Sequence, residues 1–92
     1  MDDREAIRRL EEDAGMSEVA KVTTFKGYRK NGAGVLVEVT VDVLDAGQEA
    51  GEGRYAVYAR SKEEGGRAKV ATGNEAGTLE EAIAIAHWHE LD

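Results

Sequence analysis

The chain has 92 residues, no cysteine and no proline, and a formal net charge of −7 at pH 7. This length predicts a single domain over 1–92, and the lack of cysteine excludes a disulfide framework, a thiolate metal site and a cysteine nucleophile. The longest purely apolar run covers 82–86, far short of the roughly 20 residues of a membrane span, and the acidic start is unlike a signal peptide, so we expect a cytoplasmic protein without membrane association.

The first predicted element is a short amphipathic helix over 3–14. Asp2 and Glu5 have the spacing of a capping box, and Gly15 stands where a helix terminator is expected. The apolar residues fall on one stripe of this helix: Ile7, Leu10 and Ala14. One side of the helix is therefore built to pack against other elements.

The clearest pattern in the chain is a strand over 34–45 in which every second residue is valine. One face carries Val35, Val37, Val39, Val41 and Val43. The other face carries Glu38, Thr40 and Asp42. Because side chains alternate along a strand, one face is predicted to line a core and the other to meet water. The preceding segment, 19–28, is rich in β-branched and aromatic residues, and turn residues join the two strands into a hairpin.

A glycine-rich loop over 45–53 precedes a third alternating strand, 54–60. This strand is predicted to direct three side chains into the core: Tyr55, Val57 and Ala59. A tight turn at 63–66 leads to a weaker strand, 68–72. Thr78 and Glu81 then form a second capping box, which opens a helix over 79–90.

These elements predict an α+β domain with a three- to four-stranded antiparallel sheet. The order is α-β-β-β-(β)-α, and the N-terminal and C-terminal helices pack on one face of the sheet, the valine face. The same order is similar in topology to a double-stranded RNA-binding domain. That family contacts phosphate through lysines at the start of its last helix, where this chain reads Thr78-Leu79-Glu80-Glu81. Carboxylates would repel phosphate, so the resemblance implies a fold and not RNA binding.

Charge is unevenly distributed along the chain. Counting Asp and Glu against Lys and Arg gives a net charge of −4 over 1–18, +2 over 19–73 and −5 over 74–92. We therefore expect acidic helices around a near-neutral sheet, and no binding of nucleic acid.

The outer sheet face invites one hypothesis about single-stranded nucleic acid. Tyr58 and Arg60 point away from the core if Val57 points inward, and three further residues could join them to stack bases: Lys21, Phe25 and Lys69. Glu38 and Asp42 occupy that same face. Their carboxylates favour the alternative, an ordinary solvated face with cross-strand ion pairs.

No motif specifies catalysis, a cofactor or a metal site. His87 and His89 have carboxylate neighbours that suit zinc or nickel, but residues two apart on a helix diverge by about 200°. The glycine-rich segments lack the Gly-Lys-Ser/Thr sequence of a phosphate-binding loop. The only serines, Ser17 and Ser61, are far from both histidines in sequence. We expect no catalytic residue, no cofactor and no metal.

The last predicted helix has more apolar surface than one stripe can hold. Leu79, Ile83 and Ala86 cluster in one direction, whereas Ile85 and Trp88 point elsewhere. This second patch either packs within the monomer or contacts a partner. We predict that Ile85 and Trp88 bind a protein partner or a second copy, which makes the protein a small non-enzymatic interaction module that forms a homodimer. The alternative is an acidic inhibitor or immunity-type protein that engages a basic target, including by imitating nucleic acid.

Overall fold

The computed structural model describes residues 2–62 and 68–92, which form one four-stranded antiparallel sheet and two α-helices. The strands lie side by side in chain order. Their bounds are β1 Lys21–Lys30, β2 Leu36–Asp45, β3 Tyr55–Lys62 and β4 Val70–Thr72, and the helices are α1 Asp3–Glu12 and α2 Leu79–Ile85. The predicted α+β fold and element order are confirmed. The predicted turn at 63–66 lies outside the described residues.

The valine face of β2 forms the centre of the core, as the alternation predicts. Val39 and Val43 are buried, and Val43 lies directly opposite Val57 of β3. Residues opposite each other on neighbouring strands share a face, so the buried residues of β3 and β4 extend the same surface. They are Val57, Ala59, Ser61 and Ala71.

The C-terminal helix is shorter than predicted. Thr78 caps it by accepting a hydrogen bond from the Glu81 N–H at 3.2 Å, but α2 ends at Ile85, where the prediction extended to residue 90. Ala86 has extended backbone angles, and the His87 N–H donates to the Thr72 carbonyl of β4 at 2.9 Å. The chain then turns into a short 3₁₀ helix, Trp88–Leu91. This bond to β4 replaces the continuation of the α-helix.

Small residues let α2 and the 3₁₀ helix lie close to the sheet. Ala82 of α2 and Ala86, the residue that follows α2, are buried in the core, and Leu91 of the 3₁₀ helix is fully buried. One cluster joins α2 to Val43 and Val57, and a second joins Leu91 to β2, β3 and β4. The core is therefore concentrated over the β3 and β4 half of the valine face.

The N-terminal helix is held at one end of the sheet and buries none of its residues. Asp2 caps it as predicted, accepting from the Glu5 N–H at 2.8 Å. Asp3 pairs with Lys21 at 2.8 Å, Arg4 pairs with Glu49 at 2.7 Å, and the Ile7 side chain approaches Gly47 closely. These contacts place α1 beside the connection between β2 and β3, so α1 leaves the β1 half of the valine face uncovered.

Candidate interaction surface

The uncovered half of the valine face is an apolar groove. Its larger part has a volume of about 280 Å³, and the apolar residues in its lining are Phe25, Gly27, Val39, Val41 and Trp88. A second hollow of about 210 Å³ continues it past Phe25 towards Thr23, Tyr55 and Leu79. We call these two hollows together the open groove. Phe25 lies in both hollows and is 56% exposed, so much of its ring faces solvent.

Glycine shapes the floor of the open groove. Gly27 lies opposite Val39, and a Cβ built on Gly27 would meet no atom within 4 Å. The absence of a side chain there leaves room between Phe25 and Arg29 on the same face of β1. The floor is therefore lower in the middle than at the Phe25 ring.

Trp88 forms the opposite wall of the open groove. Its indole packs against both core clusters, and its Nε1–H donates to the Ile83 carbonyl at 2.8 Å. Leu79 lies one helical turn before Ile83 and therefore on the same side of α2. Ile83 lines neither hollow, but it is 43% exposed and adds apolar surface on that side of α2.

Ion pairs close both ends of the open groove. At one end Lys21 donates to Asp3, and this hydrogen bond raises the pKa of the Lys21 ammonium above its usual value. At the other end Arg29 donates to Asp92 at 2.6 Å. Both cations thus carry a carboxylate partner, and most of the surface between them is apolar.

The two residues predicted to bind a partner lie on different sides of α2. Trp88 lines the open groove. Ile85 is 38% exposed but is not among the groove residues, and it lies about 200° around the helix from Ile83. Because α2 ends at Ile85, Trp88 does not continue the helix and instead packs against the core, away from Ile85. Partner binding by both residues stays a prediction.

The outer edge of β1 borders the open groove. Asn31 donates its backbone N–H to Val35 at 2.9 Å, so the odd-numbered residues of this antiparallel ladder bond to β2. The even-numbered residues of β1 direct their N–H and C=O groups outward, and we call this row the β1 edge. It consists of Val22, Thr24, Lys26, Tyr28 and Lys30. Sequence reasoning missed the edge and assigned Phe25 to the outer face, because the strand that ends a sheet is not encoded locally.

The outer sheet face carries the cross-strand ion pairs that the sequence predicts. Asp42 accepts from Arg60 and from Thr24, both at 2.7 Å, and these hydrogen bonds, chiefly the one from Arg60, lower the pKa of Asp42. Lys26 pairs with Glu38 at 3.5 Å. The base-stacking hypothesis was wrong about the surface, because Lys21 and Phe25 lie on the valine face, opposite Asp45 and Val41.

The remaining candidate residues do not form a reactive site. The rings of His87 and His89 lie 5.8 Å apart, and His87 contacts Glu90 at 3.4 Å. Within residues 2–62 and 68–92, no three His, Asp or Glu side chains are placed to hold a metal ion. Ser61 is buried, and its hydroxyl accepts a hydrogen bond from the Lys69 N–H. A buried hydroxyl with this partner has a structural role.

A larger hollow, about 510 Å³, follows α1 and is lined by charged side chains. They are Asp2, Arg4, Glu5, Arg8, Glu11 and Glu49. The pair between Arg4 and Glu49 crosses it with both side chains more than two-thirds exposed. Removing water from these charged side chains would cost free energy, so this hollow is a less favourable binding surface than the open groove.

No family model, curated protein or solved structure matches this chain. Among the described helices, none combines the length and the apolar character needed to cross a bilayer. The basis for a functional conclusion is therefore the chain's own geometry, above all the open groove and the β1 edge.

Proposed function

We propose that this protein is a non-enzymatic interaction module that acts through protein–protein contacts and self-associates. The observation that supports this proposal is the half-covered valine face. A ten-residue strand, β1, ends the sheet there, and it carries Phe25, which is 56% exposed and lines the same hollow as Trp88. In a folded domain this small, a contiguous apolar surface bordered by ion pairs is typical of a binding site.

The energetic reason is the cost of leaving Phe25 in water. Complete burial of such a side chain contributes about 1.5–3 kcal/mol, and Phe25 is 56% exposed, so roughly half of that contribution is available to binding. Aromatic anchors at the centre of an interface carry a large share of its energy. Val39, Val41 and Trp88 supply the apolar surroundings that such an anchor needs.

The charges around the open groove favour an apolar contact over an electrostatic one. Lys21 and Arg29 are already paired with Asp3 and Asp92, so neither cation demands a charged partner. Association through this surface is therefore nearly independent of salt.

A second candidate function follows from the start of α2. Glu80 and Glu81 in its first turn are both exposed, and Glu75 is exposed just before it. Together with the net charge of −7 they support an acidic inhibitor or immunity-type protein that engages a basic target. Association of that kind weakens steeply with added salt.

Sedimentation velocity over a dilution series, at low and at high salt, tests the proposal. Wild type is expected to form dimers in the tens-of-micromolar range at both salt concentrations. Phe25→Ala is expected to raise the dissociation constant about tenfold or more, since it removes the anchor. The matched control is Tyr58→Ala, which truncates an exposed aromatic residue on the outer face and is expected to dimerise as wild type does.

Two results would count against the proposal. The first is a wild-type protein that stays monomeric at every concentration of the dilution series, which would contradict the proposed self-association. The second is dimerisation that is lost at high salt and that is as strong in Phe25→Ala as in wild type. Such dimers would form through charged surfaces and not through the open groove, which favours the acidic-inhibitor function.

A further inference from the structure

We propose that two copies pair their β1 edges antiparallel, in the one register that places Phe25 opposite Phe25 of the second copy. This inference rests on the proposed self-association and adds its geometry. It joins two four-stranded sheets into one continuous sheet and brings the two open grooves together at the pair of phenylalanine rings.

The β1 edge is long and exposed, and its outward row combines apolar residues with Lys26 and Lys30. Every residue of β1 except Arg29 is exposed, including Val22 at 55% and Tyr28 at 75%. A long exposed edge strand with apolar side chains is a template for pairing with another strand. The opposite edge of the sheet is formed by β4, which has only three residues, Val70–Thr72.

Symmetry restricts the possible registers. Two copies related by a two-fold axis pair residues symmetrically about a centre, and hydrogen-bonded pairs must join outward-directed residues from both strands. All outward-directed residues of β1 are even-numbered. A two-fold axis that passes between two residues would place even-numbered residues opposite odd-numbered ones, and no hydrogen bonds could form between the two strands. The axis must therefore pass through a residue. The two registers that align nearly the whole strand are centred on Phe25 and on Lys26.

Aromatic pairing decides between these two centres, since the cations opposed in either register already have carboxylate partners: Lys26 has Glu38, Lys21 has Asp3 and Arg29 has Asp92. Centring on Lys26 sets Phe25 opposite Gly27 of the second copy, so no aromatic pair forms. Centring on Phe25 sets Thr24 opposite Lys26. The same register places Phe25 against its own symmetry mate, and an aromatic pair adds about 0.5–1.5 kcal/mol beyond burial.

The Phe25-centred register also covers the other exposed apolar residues of β1. Val22 lies opposite Tyr28 of the second copy on the outer face, and about eight backbone hydrogen bonds form between the strands. On the groove face, Thr23 meets Gly27. Lys21 meets Arg29, but each of these cations keeps its own carboxylate, Asp3 or Asp92.

Single-cysteine variants measure the register, since the natural chain has no cysteine. Phe25 is a non-hydrogen-bonded position at this edge, where opposed Cα atoms lie about 4.5 Å apart, within the range that a disulfide spans. Phe25→Cys is expected to give a covalent dimer on mild oxidation. Thr23→Cys and Gly27→Cys are each expected to give no disulfide-linked dimer alone, and their equimolar mixture is expected to give the mixed disulfide. Lys26→Cys is the matched control for the competing register.

Each outcome supports or overturns the inference. Disulfide formation by Phe25→Cys and by the mixture, but not by Lys26→Cys, supports it. Preferential crosslinking of Lys26→Cys overturns the register. A dimeric wild type with no crosslinking at any β1 position overturns edge pairing while the proposed self-association stands, whereas a monomeric wild type overturns both.

Lys26→Pro provides a test that does not depend on oxidation. Its N–H points outward, so proline there removes an interface donor and leaves the bonds between β1 and β2 in place. We expect a monomer at concentrations where wild type dimerises, with unchanged circular dichroism. A Lys26→Pro protein that keeps its fold and dimerises as wild type does would overturn edge pairing.

Discussion

Trp88 donates its indole N–H to the main-chain carbonyl of Ile83 at 2.8 Å, across the C-terminal end of α2. The last carbonyls of a helix lack intrahelical partners, and here a side chain supplies one. The same ring packs against the clusters built around Val43 and Val39. One residue thus caps a carbonyl of the last helical turn, packs against the core and forms a wall of the open groove.

We expect Trp88→Phe to lower the free energy of unfolding by about 1–2 kcal/mol, because it keeps an aromatic ring but removes the hydrogen bond. Trp88→Ala should cost about 2–4 kcal/mol, since it also removes packing from a partly buried site. Urea denaturation followed by circular dichroism measures both. His89→Ala, at an exposed position of the same 3₁₀ helix, is the control. Equal stability of Trp88→Phe and wild type would show that the bond to Ile83 contributes nothing.

Val39→Asp should unfold the protein, because it places a carboxylate at a buried position of the central valine face. Burying an unpaired charge costs several kcal/mol, comparable with the whole stability of a small domain. Leu36→Asp, on the outer face of the same strand and 62% exposed, should melt near the wild-type temperature. Thermal melts of the three proteins measure the difference, and a cooperative Val39→Asp transition near wild type would contradict the assigned core face.

The valine strand could be predicted because its alternation reflects burial on one side only. β1 alternates poorly because neither of its faces is fully buried. Its groove face, with Thr23, Phe25 and Gly27, is not covered by a helix, so it does not require an apolar residue at every second position. The sequence therefore indicates a strand over 19–28 but not its position at the edge or its open face.

The end of α2 could not be predicted from local signals. No glycine or proline interrupts residues 79–92, and the break at Ala86 depends on the hydrogen bond from His87 to Thr72, two residues that are distant in sequence. The position of α1 likewise depends on contacts with Lys21, Gly47 and Glu49. The open groove depends on both the early end of α2 and the position of α1. The sequence therefore led to a prediction that Trp88 binds a partner, but it did not indicate the groove that Trp88 lines.

Two glycines should respond oppositely to alanine. A Cβ on Gly73 would lie 2.8 Å from the Ala86 Cα, where the chain leaves α2, so Gly73→Ala forces two backbone segments apart and should cost about 1–3 kcal/mol. Gly27→Ala meets no atom within 4 Å and should raise stability by up to about 1 kcal/mol, because it lowers the entropy of the unfolded chain. Urea midpoints measure both. A Gly73→Ala protein as stable as Gly27→Ala would contradict the close approach.

The final prediction concerns the pH dependence contributed by Asp45. Its carboxylate accepts two hydrogen bonds from the Arg54 guanidinium, at 2.8 and 3.2 Å, and a third from the Gly47 N–H at 2.9 Å. The bonds from Arg54 lower the pKa of Asp45 in the folded state, and the Gly47 bond adds to this. Asp45 thus fixes the start of the connection between β2 and β3, against which α1 rests.

A lowered folded-state pKa means that the unfolded chain binds the proton more readily. The stability that Asp45 contributes is therefore complete above its unfolded pKa of about 3.9 and is lost as the pH falls through the folded pKa.

Asp45→Asn should cost about 1–3 kcal/mol at neutral pH, and this cost should shrink towards zero in strong acid. Glu49→Gln, in an ion pair whose side chains are 68% and 78% exposed, should cost little at any pH. Urea denaturation of the three proteins at neutral and acidic pH provides the comparison. A cost of Asp45→Asn that stays constant across this range would show that the Arg54 pair does not stabilise the ionised carboxylate.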